Sequence, residues 1–292
     1  MSNAALLTCD DQVINVASMP SLSPFRYPGG KTWLVPHIRK WFAGLQSHPA
    51  EFIEPFAGGG IVSLTVAYEL LADQVTMAEL DDEIAAVWQT ILNKNGHWLA
   101  NQIVTFNFTK RNIEATLARP ASSLRAKAFR TILKNRINRG GIIAPGAGKL
   151  KRGENGKGIR SRWYPETLRK RILNIATMRD RITFIAGDGL KVLRQNAQRA
   201  DALFFIDPPY RMAGSRLYTH FELDHSELFR VSNTLVGDFL MTYDDCEEIR
   251  GLAWQYNFDV QAVPMKNTHH ARKFELLIGR NLDWARTSSG MK

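Results

Sequence analysis

The run Ala202-Leu203-Phe204-Phe205-Ile206 is apolar throughout and is followed at once by Asp207-Pro208-Pro209-Tyr210. An unbroken apolar run of this length, without polar alternation, is the pattern of a parallel strand buried on both faces. Two prolines remove two backbone donors, so the ladder cannot continue past Ile206. The chain must leave the sheet at its carboxyl edge, where open α/β sheets hold their ligands. A carboxylate on Asp207, a carbonyl on Pro208 and a ring on Tyr210 are delivered there together. Two acceptors and one flat plate suit a planar ring that carries an amino group.

The rest of the chain supplies the elements for such a sheet. Helix periodicity runs from Trp33 to Leu45, after a turn at Pro28-Gly29-Gly30. Glu51 to Glu54 reads as a short strand that leaves through glycines into an apolar helix, Ile61 to Leu71. Gln74 to Glu79 is a second strand and Asp82 to Asn93 a second helix. Strand, glycine turn, helix, strand, acid is the opening half of a nucleotide-binding α/β fold. Strands resume at Ile182 to Ala186, Ala202 to Ile206, Phe239 to Tyr243, Val260 to Pro264 and Phe274 to Ile278. A helix at Ser226 to Leu235 is among those between them.

Between these halves the pattern breaks, and the charge breaks with it. The 292 residues carry a net +10, yet residues 95–176 alone hold 18 Lys and Arg against three acids, Glu114, Glu154 and Glu166. The remainder is net −5. Segregated positive charge is the footprint of a polyanion partner, although a solvated basic face has the same composition. This stretch reads as a basic helix (Ser123 to Arg136), a glycine-rich loop (Gly140 to Gly158) and a second basic helix (Pro165 to Met178). The expected organisation is a loose tail over 1–23 and a first catalytic part over 24–94. A basic, mainly helical insertion over 95–172 and a second catalytic part over 173–292 complete it.

Several residues stand where chemistry is expected. Phe52 to Gly60 is a strand, a glycine loop and a helix start, whose free amides favour an electron-rich group. Alone it is also an ordinary tight turn. Glu79 ends the next strand, where an acid grips ribose hydroxyls in dinucleotide folds. Asp188, in Ala186-Gly187-Asp188-Gly189, suits an adenine amino group and equally a turn. Lys31 suits a ligand carboxylate and Tyr27 a ring edge, although Arg26 to Lys31 also reads as a helix-leading turn. The loop lacks the Gly-Lys-Ser/Thr ending of a phosphate-binding loop, which argues against triphosphate hydrolysis. Cys9 and Cys246 have no metal-ligand spacing and read as reduced thiols of a cytoplasmic protein. His269-His270 reads as a loop or DNA-backbone contact, and no metal is expected. No apolar stretch has membrane-spanning length.

Together these motifs resemble the Dam-like, D12-class, alpha-group adenine-N6 DNA methyltransferases. The carriers are Tyr27-Pro28-Gly29-Gly30-Lys31, Glu54-Pro55-Phe56-Ala57-Gly58-Gly59-Gly60, Glu79 and Asp207-Pro208-Pro209-Tyr210, in that order. Arg272-Lys273-Phe274-Glu275-Leu276-Leu277 looks like the family's C-terminal strand. The family often has Trp where Tyr27 stands and Asp where Glu79 stands. The resemblance implies a Rossmann-like methyltransferase fold, S-adenosylmethionine as cofactor and double-stranded DNA as partner; the alternatives are the same grip on an rRNA base or a protein glutamine, and a catalytically silent DNA-binding homologue. It implies cofactor contacts at Tyr27, Lys31, Glu54, Phe56, Gly58, Gly60, Glu79, Asp188 and Asp207. Asp207, Pro208, Pro209 and Tyr210 become the catalytic group, with Tyr210 stacking on a flipped-out adenine. DNA contacts are expected at Arg26, Arg130, Lys134, Arg136, Arg139, Arg160 and Arg162. The insertion, with Asn138-Arg139-Gly140-Gly141, looks more like phage or restriction-type members than the GATC-specific enzyme. That admits a cognate restriction enzyme as partner; the expected state is a monomer.

Overall fold

The computed structural model describes residues 20–27, 29–151, 153, 156–210, 223–266 and 272–286. Most of the expected tail, Cys9, Pro28, Glu154 and His269-His270 lie outside the described residues. Seven strands form one sheet: β1 Glu51–Glu54, β2 Gln74–Glu79, β3 Ile182–Ala186, β4 Ala202–Ile206, β5 Phe239–Asp244, β6 Asp259–Lys266 and β7 Arg272–Gly279. Their spatial order is β3-β2-β1-β4-β5-β7-β6. The first five are parallel; β7 runs antiparallel to both β5 and β6. This is a Rossmann-like, mostly parallel sheet with an antiparallel strand near one edge, as the strand pattern leads one to expect.

The central strand is apolar throughout because both of its faces are covered. All five residues of β4 are buried. Leu203 and Phe205 enter one hydrophobic cluster, Phe204 and Ile206 the other. The first cluster includes residues of α1 (Val35–Ala43), α2 (Ile61–Glu69) and α3 (Asp82–Leu92). The second includes α8 (Gly189–Asn196), α9 (His225–Asn233) and α10 (Glu247–Gln255).

Between α3 and β3 the described residues form helices and loops: α4 Gly96–Thr105, α5 Lys110–Ala118, α6 Leu124–Ile137 and α7 Pro165–Thr177. The Ser123 hydroxyl accepts from the Ala126 amide, 3.2 Å away, and sets the start of α6. These helices share the first cluster with the sheet through Leu99, Ile103, Phe129, Ile132, Leu133 and Ile172. The basic segment is therefore packed against α3 and into the cluster that α3 shares with the sheet, rather than hung from a linker. No helix among the described residues is long and apolar enough to cross a membrane.

Candidate active site

The order β2-β1-β4 sets the carboxyl ends of β1 and β4 side by side, at the switch point where open sheets bind ligands. Glu54 ends β1, Asp207 follows β4 and Glu79 ends β2. A cavity of about 300 Å³ opens over them. The nine residues expected at the cofactor all line it, and Gly141, Ile143 and Ala144 of the insertion add to its wall.

The glycine loop is held from several sides. Gly58 donates its amide to Glu79 Oε2 at 2.8 Å, and its carbonyl accepts from Trp88 Nε1 at 2.9 Å. The Ser23 hydroxyl donates to the Gly59 carbonyl at 2.6 Å. Tyr27 lies against the loop: a Cβ at Gly58 would come within 2.5 Å of its ring, and Gly58 has φ +47°. Gly58 is required by this packing as well as by any ligand, which the sequence pattern alone does not reveal.

Glu79 also accepts from the Asp81 amide, at 2.8 Å. Burial pushes its carboxyl up to about 7, against the Asp81, Gly58 and Leu80 amides that favour its charge. Glu54 accepts from the Ser63 amide at 2.9 Å, near the start of α2. Its deep burial raises it to about 8. Asp188 is exposed and caps α8, accepting from the Leu190 amide at 2.9 Å. It fills the turn role and still faces the cavity.

Lys31 lines the cavity and is paired within the chain. It is buried, with Nζ 2.9 Å from Asp207 Oδ1, 3.6 Å from Glu275 Oε2 and 3.1 Å from the Gly29 carbonyl. Its first partner is the Asp207 carboxylate, not a ligand's. Burial works against its charge, but Asp207 and Glu275 overcome that and hold its pKa above the ordinary lysine value.

Asp207 Oδ1 accepts further bonds from Thr242 Oγ1 at 2.7 Å and Tyr210 Oη at 3.0 Å. Tyr210 itself does not line the cavity. Its ring is stacked on Tyr243, with centroids 5.8 Å apart, and Lys31 Nζ lies 5.0 Å from its centroid. In this conformation it supports Asp207 instead of offering a plate to a base. Burial first, then Asp207, raises its phenol well above 10, so it remains a donor. Pro209 lines the cavity; Pro208 is buried and does not. Sequence reasoning does not single out Thr242 and Glu275, because nothing local marks them. Glu275 stands out only as an acid inside an apolar strand.

The basic helix has a different part from the one expected. Arg136 is buried and donates to the Pro24 carbonyl; burial, with Arg171 beside it, lowers it to about 10. Lys134 pairs with Glu83, at 2.5 and 2.7 Å to its two oxygens. Arg130 donates to the Leu117 carbonyl at 3.0 Å. Among the described residues these three cations are engaged by protein acceptors. Arg139 and Arg160 are exposed, whereas Arg162 and Arg26 are half-buried. Asn135 takes both the Arg26 amide (2.9 Å) and carbonyl (2.8 Å) and donates to the Gly141 carbonyl at 2.7 Å. It ties α6 to the segment carrying Tyr27 and Lys31.

The model of the D12 class N6 adenine-specific DNA methyltransferase family matches residues 27–131. The match takes in the first three motifs and ends before β3. No curated protein matches the chain. Among solved structures, a protein of Pyrococcus horikoshii aligns with a TM-score of 0.39 and 10% identity, over 92% of this chain and 91% of that one. The rRNA methyltransferase aviRa of Streptomyces viridochromogenes gives 0.38 and 12%, over 96% and 93%. The precorrin-6y C5,15-methyltransferase of Geobacter metallireducens gives 0.36 and 8%, over 94% and 95%. The family model thus matches the part of the chain that carries the first three motifs on which the resemblance rests. Family and fold imply S-adenosylmethionine as donor. The cavity fits that group, since an acid at the end of β2 and a glycine loop at the end of β1 face it together.

Proposed function

We propose that the chain methylates N6 of adenine within one short sequence of duplex DNA. The observation that carries this reading is Asp207. It stands at the switch point, on the wall of the cavity, with one carboxylate oxygen held by three donors. An exocyclic amine is a poor nucleophile because its lone pair is delocalised into the ring. Asp207 accepts one of its N–H groups and draws the nitrogen toward tetrahedral geometry, which localises the pair. The gain comes mainly from positioning and preorganised dipoles.

S-adenosylmethionine, when bound, supplies a methyl group on a sulfonium open to attack by that pair. Glu79 takes the ribose hydroxyls, Asp188 the adenine amino group, and Tyr27 and Phe56 wall the cavity. Glu54 is a buried acid beside the charged centre. Lys31 is assigned to Asp207 rather than to the cofactor carboxylate.

An adenine inside a duplex cannot reach a sheet edge, so the base is flipped out, at a cost of a few kcal/mol. Residues 95–172 are assigned to target recognition, 24–94 and 173–292 to catalysis. Phosphate contacts fall to the loop after α6, where Arg139, Lys149, Lys151 and Arg160 are exposed. The test is incubation with S-adenosylmethionine and duplex DNA, then digestion to nucleosides and mass analysis. N6-methyladenine confined to one sequence context is the expected product. N4-methylcytosine, or transfer to RNA alone, overturns the reading.

A further inference from the structure

We propose that Thr242 and Glu275, the latter acting through Lys31, are positioning residues that commit Asp207 Oδ1 to the protein and turn Oδ2 toward the amine to be methylated. The assignment rests on the proposed reaction and names the atoms that serve it.

The sheet register brings these residues together. Ile206 pairs with Met241, so the next residues along, Asp207 and Thr242, emerge side by side from β4 and β5. On the other side of β5, Thr242 pairs with Leu277 and Asp244 with Glu275. Side chains two apart share a face of a strand, so Thr242 and Glu275 lie diagonally on one face. Lys31 Nζ lies between the two carboxylates, 2.9 Å from Asp207 and 3.6 Å from Glu275.

Asp207 Oδ1 meets three donors: the Thr242 hydroxyl, the Tyr210 hydroxyl and the Lys31 ammonium. That fills the accepting capacity of one carboxylate oxygen. The hydrogen bonds that Asp207 accepts from the described residues fall on Oδ1, which leaves Oδ2 for substrate. Without the three donors the carboxylate could rotate and exchange the two.

Charge gives Glu275 its part. Methyl transfer moves positive charge onto the target nitrogen, which a net negative cluster favours. Lys31 alone would cancel Asp207. Glu275 restores one negative charge while holding the ammonium in place. Asp244, at the end of β5, adds to the same field at Lys31.

The test compares full-length Thr242→Val, Thr242→Ser, Glu275→Gln, Asp207→Asn and Asp207→Ala with wild type. Methyl transfer under single turnover and calorimetric binding of S-adenosylmethionine are the readouts. Thr242→Val and Glu275→Gln should each slow transfer by roughly 10- to 100-fold, the worth of one hydrogen bond or ion pair to a charged group. The loss should fall on kcat and not KM, with cofactor affinity and thermal midpoint unchanged. Thr242→Ser, which keeps the hydroxyl, should recover most of the rate. Asp207→Asn should be no faster than Asp207→Ala. The three donors would hold its amide oxygen at the Oδ1 position and turn its NH2, a donor, toward the target amine.

Wild-type rates in Thr242→Val and Glu275→Gln, or losses confined to cofactor binding, overturn the positioning roles. An Asp207→Asn variant well above Asp207→Ala overturns the division of the two oxygens, and this pair decides even if a strand variant does not fold. A wild type that methylates RNA instead of DNA overturns the proposed substrate alone, and the same ranking is then read on RNA. A wild type inert on every nucleic acid overturns both.

Discussion

Binding of S-adenosylmethionine should expel a proton from Glu79. In the unliganded chain this carboxyl titrates near 7, so at neutral pH about half the molecules carry the proton. Its backbone donors, the Asp81, Gly58 and Leu80 amides, favour the charged form but do not outweigh burial. Two ribose hydroxyls would add two more donors to the carboxylate. The ionised form is then the one that binds, and the pKa falls on binding. Affinity should be greatest above pH 8 and weaken about tenfold per pH unit below 7. The sign for the unliganded fold runs the opposite way. A carboxyl raised from 4.5 to about 7 keeps its proton when folded after the unfolded chain has lost it. Unliganded stability should therefore fall as pH rises through that window, while cofactor restores it. Calorimetric titration from pH 5.5 to 8.5, repeated in buffers of different ionisation heat, measures both affinity and protons released. Glu79→Gln should bind weakly at pH 8 and lose the limb near 7. Any remaining dependence would belong to Glu54, which titrates near 8. A wild-type dissociation constant flat from pH 6 to 8, with no proton released, would refute the reasoning.

Asp207→Ala should lower methyl transfer on the order of 100- to 1000-fold while the chain stays folded, as single-turnover rates and circular dichroism would show together. Asn135→Ala should destabilise by about 2–4 kcal/mol in denaturant titration, because it strands three backbone groups in a buried place; a change under 1 kcal/mol would be too small for that role. Neutralising Arg139, Lys149 and Lys151 should reduce the log–log salt slope of DNA binding by up to about 0.9 for each phosphate left without its cation. Lys134→Ala should lower the thermal midpoint and leave that slope alone, since Lys134 is spent on Glu83; the reverse pattern would return the DNA surface to α6.

Much of the sheet is legible in the sequence. Gln74–Glu79, Ile182–Ala186 and Ala202–Ile206 are strands over the same residues in structure and pattern. Central parallel strands announce themselves, because burial on both faces leaves few polar residues inside them. The edge of the sheet is less clear: β6 and β7 each extend beyond the apolar stretches that mark them. Helices α4 and α5 do not stand out in the pattern. The α5 N-cap at Thr109 precedes a helix with one buried apolar residue, Ile113, so its periodicity is faint.

The candidate site divides along the same line. Asp207, the glycine loop and Glu79 can be found because strand ends and turns are written within a few adjacent residues. What lies beside them is decided by the tertiary structure. Lys31 reads as a ligand contact until β4 and β7 place two carboxylates around it. Lys134 and Arg136 read as a phosphate grip until α3 and the segment before Tyr27 consume them. Thr242 has no local mark at all, and gains its part only when β5 settles beside β4. Periodicity and turn chemistry act over a few residues and survive in the sequence. The partner of a charge depends on which surfaces the sheet and helices bring together, and that is known only once the chain has folded.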